Sequence, residues 1–199
     1  ASNDKPGANI TGTSDMNPVA EQIDLLKEIL PDAKKVAVMY CSSESNSALQ
    51  LDMAKAQLEA MGMTCVQKTV SAIDEVKSAI ESLQGQVDAI YVPTDNTLSD
   101  GMSLVSSTAN ECGIPVFGGE PGMVENGCTA SYGIDYVELG RMTGKMAVEA
   151  LTSQDPLGAV ANMPIGYQTS GCMTAFNQAS LDAVGLEVPA DILAGATIF

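Results

Sequence analysis

The stretch "VDAIYVPTDN", residues 87–96, passes from an apolar run into a cluster of hydrogen-bonding side chains. The apolar part is typical of a strand that is covered on both faces, and a helical pattern follows the polar part. Thr94, Asp95 and Asn96 therefore lie at the carboxyl end of a predicted strand. Side chains in this position cap the next helix or face a ligand, and this stretch alone leaves both interpretations open.

Predicted strands and helices alternate through most of the chain. The strand-like runs lie at 34–41, 64–70, 87–92, 114–119 and 128–134. Apolar residues repeat with helical spacing at 19–30, 51–61, 73–83, 98–109 and 139–150. This order, with several strands nearly all apolar, predicts an α/β fold with a central parallel sheet of about five strands and helices on both faces.

Four polar links follow these predicted strands. They read "YCSSESN" (40–46), "PTDN" (93–96), "GGEPG" (118–122) and "GIDY" (133–136). Because crossovers between parallel strands are right-handed, we expect all four links at the same edge of the sheet. Polar groups that converge at this edge predict part of a small-molecule site. The candidate ligand-binding residues in these links are Tyr40, Asn46, Thr94, Asp95, Asn96, Glu120, Asp135 and Tyr136.

A structural role is the alternative for several of these residues. Asp135 and Glu138 form a D-x-x-E pattern, which is close to a capping box at the start of a helix. Tyrosines such as Tyr40 and Tyr136 are more often partly buried core residues than ligand contacts. The predicted site therefore depends on the convergence of the links rather than on any one side chain.

The charge and the residue content exclude several functions. Nine Lys and Arg against 25 Asp and Glu give a net charge of -16 at pH 7, which repels phosphate backbones, so we expect no nucleic acid as a partner. The chain has no histidine, which excludes Ser-His-Asp and Cys-His catalysis and most zinc sites. "GRMTGK" (140–145) is one residue short of a phosphate-binding loop, and the G-x-G-x-x-G pattern is absent. We therefore expect neither a cofactor nor a metal ion.

Enzymatic alternatives depend on the carboxylates of the polar links. Asp95, Glu120 and Asp135 could transfer protons or bind a metal ion, but no local signature supports either role. A phospho-acceptor receiver domain needs an acidic pair after its first strand, where this chain has "YCS" (40–42). These residues favour a binding module without enzymatic activity.

Cysteine spacing and hydropathy give two further expectations. The five cysteines form no C-x-x-C pair and no regular spacing, so neither a disulfide framework nor a zinc site is predicted. No run of 18 apolar residues occurs, and the first ten residues have neither a basic nor an apolar signal region. We expect no direct membrane insertion by this chain and, if the protein is exported, an export signal that precedes it.

Five segments carry a resemblance to a known family. They are "NITGTSDMNPVAEQIDLLKEILPDAKKVAVMY" (9–40), "DAIYVPTDNT" (88–97), "GIPVFGGE" (113–120), "GIDYVELGRMTGKMAVEAL" (133–151) and "NQASLDAVGLEVPADI" (177–192). In this order they resemble the solute-binding proteins of bacterial ABC importers, in the family related to tryptophan- and phenylalanine-binding lipoproteins.

The resemblance implies a domain organisation. Family members have two Rossmann-like lobes of the periplasmic-binding-protein type I, with the ligand clamped between them. This chain resembles the second lobe with the segments that cross between lobes. Residues 1–15 would form the first crossing segment, 16–160 the ligand-binding lobe, and 161–199 the return crossing with a C-terminal helical tail. We expect a homodimer through the exposed interlobe surface, or disorder at residues 1–9 and after about residue 190.

The resemblance also assigns roles to residues. Thr13, Ser14 and Asp15 would lie near the interlobe crossing and contact the ligand there. Asp95 or Asp135 would accept from the ammonium group of an amino acid, and helix-start amides or hydroxyl groups would donate to its carboxylate. The resemblance implies an extracytoplasmic protein, in the periplasm or on the cell surface as a lipoprotein, whose partners are an amino acid, with aromatic ones as candidates, and an ABC permease. A ligand-sensing regulatory domain of the same fold, without a transport role, is the alternative.

Overall fold

The computed structural model describes residues 2–199, and the elements follow in chain order. The strands are β1 (Thr13–Ser14), β2 (Lys35–Cys41), β3 (Thr64–Val70), β4 (Ala89–Val92), β5 (Val116–Gly118), β6 (Ala130–Gly133), β7 (Gly166–Tyr167), β8 (Met173–Phe176) and β9 (Thr197–Ile198). The helices are α1 (Val19–Ile29), α2 (Ser45–Ala60), α3 (Val76–Glu81), α4 (Asn96–Asp100), α5 (Met102–Glu111), α6 (Pro121–Glu125), α7 (Tyr136–Thr152), α8 (Pro156–Asn162), α9 (Gln178–Val184) and α10 (Ala190–Leu193). A 3-10 turn at Ile73–Glu75 precedes α3.

The contacts divide the chain into two compact units. Unit 1 combines residues up to Met16 with Ile134–Cys172, and unit 2 combines Asn17–Gly133 with Met173–Phe199. Residues 134–160 group with the N-terminal segment, and residues 173–199 group with the sheet. The division into crossing segments and a ligand-binding lobe, 1–15, 16–160 and 161–199, stays a prediction.

Unit 2 contains a sheet with the strand order β3-β2-β4-β5-β6-β8-β9. The first five strands of this order run parallel to one another, β8 is antiparallel to β6, and β9 is parallel to β8. The predicted α/β fold with a five-stranded parallel sheet is confirmed. The sequence patterns did not predict β8 and β9, which extend this sheet beyond β6.

Alternate side chains of β2 enter two different cores. Val36, Val38 and Tyr40 pack with α1 and α2 on one face, while Ala37 and Met39 pack with α3 and α5 on the other. The period of two follows from strand geometry, in which successive side chains point to opposite faces. Both faces of the sheet are therefore covered by helices, as the apolar runs predicted.

One local expectation was wrong in detail. The single helix predicted at 98–109 is two helices, α4 and α5, with Gly101 between them. A Cβ atom at Gly101 would overlap the side chain of Ile73, so the break brings the backbone close to the 3-10 turn. The short link after β5 contains α6, which begins with Pro121 at a position where proline is favoured.

Unit 1 contains a two-stranded parallel sheet of β1 and β7, which lies beside α7. Backbone hydrogen bonds from Gly7 to Ala161 and from Ile165 to Asn3 join the N-terminal segment to the residues around β7. The most exposed large apolar side chains of this unit are those of Ile10, Val137, Val148, Leu151 and Leu157, at 62% to 78% exposure. Among the described residues, no helix has both the length and the apolar character needed to cross a membrane.

Candidate functional site

Three polar links meet at the carboxyl ends of β2, β4 and β5 in unit 2. We call the residues 42–47, 93–97 and 119–120 the rim. Asn46 Nδ2 donates to the carbonyl of Thr94 at 2.8 Å, and Ser99, in α4, donates through its hydroxyl to Glu120 Oε1 at 2.9 Å. This is the edge at which open parallel sheets bind their ligands, because the strand order leaves a crevice there.

Asp95 lies beneath the rim. Its side chain is fully buried and accepts three hydrogen bonds, from the amide of Cys41 (2.7 Å), the hydroxyl of Ser47 (2.9 Å) and the amide of Leu98 (2.9 Å). The last bond makes Asp95 the N-cap of α4, so the capping interpretation of this residue is confirmed. Asp95 therefore joins the end of β2, the start of α2 and the start of α4.

Glu44 joins the same two links nearer the surface. Its Oε2 accepts from the amide of Asn96 (2.9 Å) and from Asn96 Nδ2 (3.0 Å), while its Oε1 accepts from the amide (2.8 Å) and the hydroxyl (2.9 Å) of Thr97. Partial burial acts to raise the pKa of the Glu44 carboxyl, but the bonds from Asn96 and Thr97 outweigh it and lower the pKa. Glu44 is therefore an anion that occupies the first amides of α4.

The backbone of Thr94 is fixed from both sides. Its carbonyl accepts from Asn46 and from the hydroxyl of Ser47 (3.3 Å), and its amide donates to Gln50 Oε1 at 2.9 Å. The hydroxyl group accepts from Asn17 Nδ2 at 3.4 Å. Thr94 is half-buried, so the rim presents its side chain on a rigid backbone.

A glycine allows the second and third links to come together. A Cβ atom at Gly119 would lie 2.5 Å from the amide nitrogen of Thr94 and 2.7 Å from the carbonyl carbon of Pro93. Contacts this short with backbone atoms cannot be relieved by a rotamer change. Residue 119 must therefore lack a side chain if the rim is to keep this packing.

A buried glutamine anchors α1 to the sheet just below the rim. Gln22 Nε2 donates to the carbonyls of Gly119 (2.9 Å) and Tyr132 (2.7 Å), and Gln22 Oε1 accepts from the hydroxyl of Tyr91 at 2.5 Å. Complete burial raises the pKa of Tyr91, so this hydroxyl stays protonated and donates.

Four more of the predicted site residues lie in unit 2, and one of them, Tyr40, lies away from the rim. Tyr40 is nearly buried in the core beside α1 and α2, and its hydroxyl accepts from Gln67 Nε2 at 2.7 Å. Because the alternation of β2 turns Tyr40 into this core, it does not belong to the rim. Asn46 and Asn96 are exposed at the rim, and Glu120 is half-buried there.

The remaining predicted residues belong to unit 1. Thr13 and Thr143 share a hydroxyl–hydroxyl hydrogen bond of 2.6 Å, and Ser14 Oγ accepts from the amide of Met16 at 3.2 Å. Asp15 and Tyr136 are exposed.

Asp135 is the N-cap of α7. Its Oδ1 accepts from the amides of Val137 (2.8 Å) and Glu138 (3.3 Å), which confirms the capping interpretation of Asp135. Glu138 pairs with Arg141. The first amides of α7, like those of α4, are therefore satisfied by a carboxylate of the chain itself.

The chemistry of the rim is that of hydroxyl, amide and carboxylate groups. Among the described residues, no cluster of His, Cys, Asp and Glu could hold a metal ion, and the cysteines form no disulfide. Burial raises the pKa of the Cys128 thiol to about 12, which keeps it protonated. Side chains of this kind suit recognition of a small polar molecule by hydrogen bonds.

Comparison with known proteins gives a family. The family model described as ABC transporter substrate binding protein matches residues 1–198. The chain belongs to the ABC transporter substrate-binding protein family.

A curated relative matches most of the chain. The Tyrosine-binding protein of Clostridioides difficile (strain R20291) is 40% identical over 162 residues, which are 81% of this chain and 46% of that relative. The chain therefore spans about half the length of this curated relative.

Solved structures of the family have the same fold. The ABC domain in complex with L-Trp from Streptococcus pneumonia is 34% identical, has a TM-score of 0.86, and is matched by 100% of this chain over 68% of its own length. A ligand-free, open substrate-binding protein with adhesive properties from Clostridium difficile is 37% identical, with a TM-score of 0.81, and the match covers 100% of this chain and 65% of that one. Unit 2 has the architecture of a periplasmic-binding-protein type I lobe.

Four rim-supporting residues of this family member escaped the sequence patterns: Asn17, Gln22, Glu44 and Gln50. Gln22 and Gln50 lie on the buried faces of α1 and α2 beside apolar core residues. A polar residue at such a position was the signal available for these two. Glu44 gave a weaker signal as the carboxylate of the first polar link.

Proposed function

We propose that this chain is the ligand-binding part of an extracytoplasmic solute-binding component of an ABC importer, and that its solute is an aromatic amino acid. The 40% identity to a tyrosine-binding protein over 162 residues carries the proposal. The likeness of the whole chain to a relative solved with L-Trp supports the same class of solute.

The hydrogen bonds at the rim limit which groups remain to bind the carboxylate of an amino acid. Glu44, Asp95 and Asp135 already accept from the first amides of α4 and α7, so these helix starts do not offer donors to the carboxylate of the solute. Helix α2 begins at the rim and has no side-chain cap among the described residues. Its first amides, with the exposed side chains of Ser43 and Asn46, are the donors that suit a carboxylate.

The ammonium group of the solute needs a carboxylate with an oxygen that can still accept a hydrogen bond. Asp95 is fully buried under the rim, so it acts on the solute only through the links that it joins. Glu120 is half-buried, and the hydroxyl of Ser99 bonds to its Oε1. The second oxygen of Glu120 is the acceptor that we propose for the ammonium group.

We propose a two-lobe arrangement for the longer protein. Unit 2 corresponds to one lobe, and β1 and β7 correspond to strands that cross between lobes. The exposed apolar side chains of unit 1 support this proposal, because apolar surface of this kind is normally covered by other parts of a protein. The solute would be clamped between the lobes, and an ABC permease would receive it at the outer face of the membrane, to which a lipid anchor would hold the protein.

Calorimetric titration of the full-length protein with L-tyrosine, L-tryptophan and L-phenylalanine tests the solute class. We expect one site per protein for at least one of them, and weaker binding for the Asn46→Ala variant than for the control Asn162→Ala, which lies on α8. Equal affinity for sugars, purines and amino acids, or binding of none, contradicts the proposal.

Uptake by cells separates import from sensing. We expect deletion of the gene to abolish uptake of the labelled amino acid that binds in the titration. Unchanged uptake with a changed transcriptional response to the same amino acid would instead indicate a regulatory role for this fold.

A further inference from the structure

Glu44 reaches a segment that is 52 and 53 positions away in the chain. It holds the backbone amides of Asn96 and Thr97 and also one side-chain donor of each residue, with distances from 2.8 to 3.0 Å. Both carboxylate oxygens therefore accept two bonds each. These four bonds fix both the backbone and the side chains of Asn96 and Thr97, the last two residues of the 93–97 link.

Charge makes Glu44 suited to this contact. The first amides of a helix have no partner within the helix, and a negative group near them is favourable. An ionised carboxylate only accepts hydrogen bonds, and each bond to it is stronger than one between neutral groups. A neutral side chain of the same length could not satisfy all four donors.

Asn96 depends on Glu44 more than Thr94 and Asp95 do. Thr94 and Asp95 are held from below by Asn46 and Ser47. Asn96 is exposed at the rim, and both its amide and its side-chain nitrogen donate to Glu44. Loss of Glu44 would release Asn96 while the lower part of the link keeps its place.

We infer that Glu44 is a positioning residue of the solute site, which fixes the orientation of Asn96, a residue that the sequence predicts to contact the solute. The inference rests on the proposed function, because it requires a solute at the rim. It adds a residue that acts through another one rather than by direct contact.

Calorimetric titration of the full-length protein with the best-binding aromatic amino acid tests this role in five forms: wild type, Glu44→Gln, Asn96→Ala, the double variant and the control Glu59→Gln. Glu59 lies near the end of α2, the helix that follows Glu44, is exposed, and forms a 4.0 Å ion pair with Lys55. We expect the dissociation constant to rise about tenfold for Glu44→Gln, because charged hydrogen bonds are lost, and to stay within about twofold for Glu59→Gln. In the Asn96→Ala background, Glu44→Gln should add no further loss.

Amide resonances of Asn96 and Thr97 give a second readout. We expect both amide protons to shift in Glu44→Gln while the melting temperature changes by less than about 3 °C, since a half-exposed contact adds little to global stability. Unchanged resonances, unchanged affinity, or an additive loss in the double variant each overturn the positioning role. A wild-type protein that binds no amino acid instead overturns the proposed function, and the role of Glu44 falls with it.

Discussion

Asp95 combines full burial with three hydrogen bonds that come from three separate elements. A buried carboxylate is costly unless donors surround it, and here the amides of Cys41 and Leu98 and the hydroxyl of Ser47 supply them. The residue therefore sets the relative positions of β2, α2 and α4 at the rim.

We expect Asp95→Asn to lower the free energy of unfolding by about 2 to 3 kcal/mol, because the amide nitrogen of Asn would face donors that it cannot accept from. Urea denaturation measures this change. Asp52→Asn is the matched control, because Asp52 is exposed on α2. Unchanged stability of Asp95→Asn together with lost solute binding would instead favour a direct contact between Asp95 and the solute.

Single residues were the hardest level to predict from the sequence. The capping patterns at Asp95 and Asp135 were visible, because a cap needs only local spacing. Whether Asp95 was buried or faced a ligand depended on Cys41 and Ser47, which approach it only in the folded chain. The location of Tyr40 depended in the same way on which side of β2 faces α1 and α2.

At the scale of elements, the contact of α1 with the sheet depends on one polar side chain within an apolar interface. Gln22 bonds to a hydroxyl on β4 and to carbonyls after β5 and within β6. Its neighbours on the helix, Ile23 and Leu26, are fully buried apolar residues. Gln22 therefore specifies the position of α1 along strands that apolar packing alone would define less sharply.

We expect Gln22→Met to cost about 2 to 4 kcal/mol of unfolding free energy, because it leaves the buried Tyr91 hydroxyl and two carbonyls without this partner. Tyr91→Phe should cost less. The double variant should lose less than the sum of the single losses, by about 1 kcal/mol, since the unpaired hydroxyl is then absent. Urea denaturation of wild type, the two single variants and the double variant gives a double-mutant cycle. Strictly additive losses of unfolding free energy would contradict the hydrogen bond between Gln22 and Tyr91.

A carboxylate also joins the amino-terminal ends of β2 and β4. Asp88 accepts from the amides of Lys34 (2.7 Å) and Lys35 (2.8 Å). The bond from Lys34 has the largest effect and lowers the pKa of Asp88, partial burial opposes it, and the bond from Lys35 lowers the pKa further. Its pKa in the folded state therefore lies below the ordinary value of 3.8.

The sign of the resulting pH dependence follows from linkage. Asp88 stabilises the fold above its unfolded pKa, and this contribution is lost as the pH falls through the lower folded pKa. We expect wild type to melt at a higher temperature than Asp88→Asn near pH 7, with the difference shrinking as the pH falls below 3.8 and through the lower folded pKa. Thermal unfolding across this range measures it, and a difference that grows in acid would contradict the assignment.

Elements with long apolar patterns were predictable, and short ones were not. The five parallel strands and most helices follow from periodicities that extend over several residues. Strands β8 and β9 have four and two residues, and their pairing with β6 and with each other is a tertiary property. The break at Gly101 likewise depends on Ile73, which is distant in the sequence.

At the scale of the whole molecule, the exposed apolar side chains of unit 1 have an expected consequence. Leu151 and Leu157 are 78% and 64% exposed, which is high for leucines in helices. Apolar surface in water promotes association.

We expect the 199-residue chain, expressed by itself, to self-associate in light scattering at micromolar concentration. Leu151→Gln combined with Leu157→Gln should shift it towards the monomer, because the exposed apolar area falls. Leu193→Gln, which alters a half-buried leucine of unit 2, serves as the comparison. A monomer for the unsubstituted chain would contradict the prediction.

The position of β8 beside β6 sets an order for biosynthesis. The ribosome releases the strands from β2 to β6 well before Met173–Phe176. The β6 edge therefore emerges with unpaired backbone groups, which stay unpaired until β8 is synthesised. During that interval the nascent polypeptide is open to strand addition by another chain. Folding that is delayed until translation has passed Ile198 would protect this edge, and a chaperone that shields the β6 edge would serve that purpose.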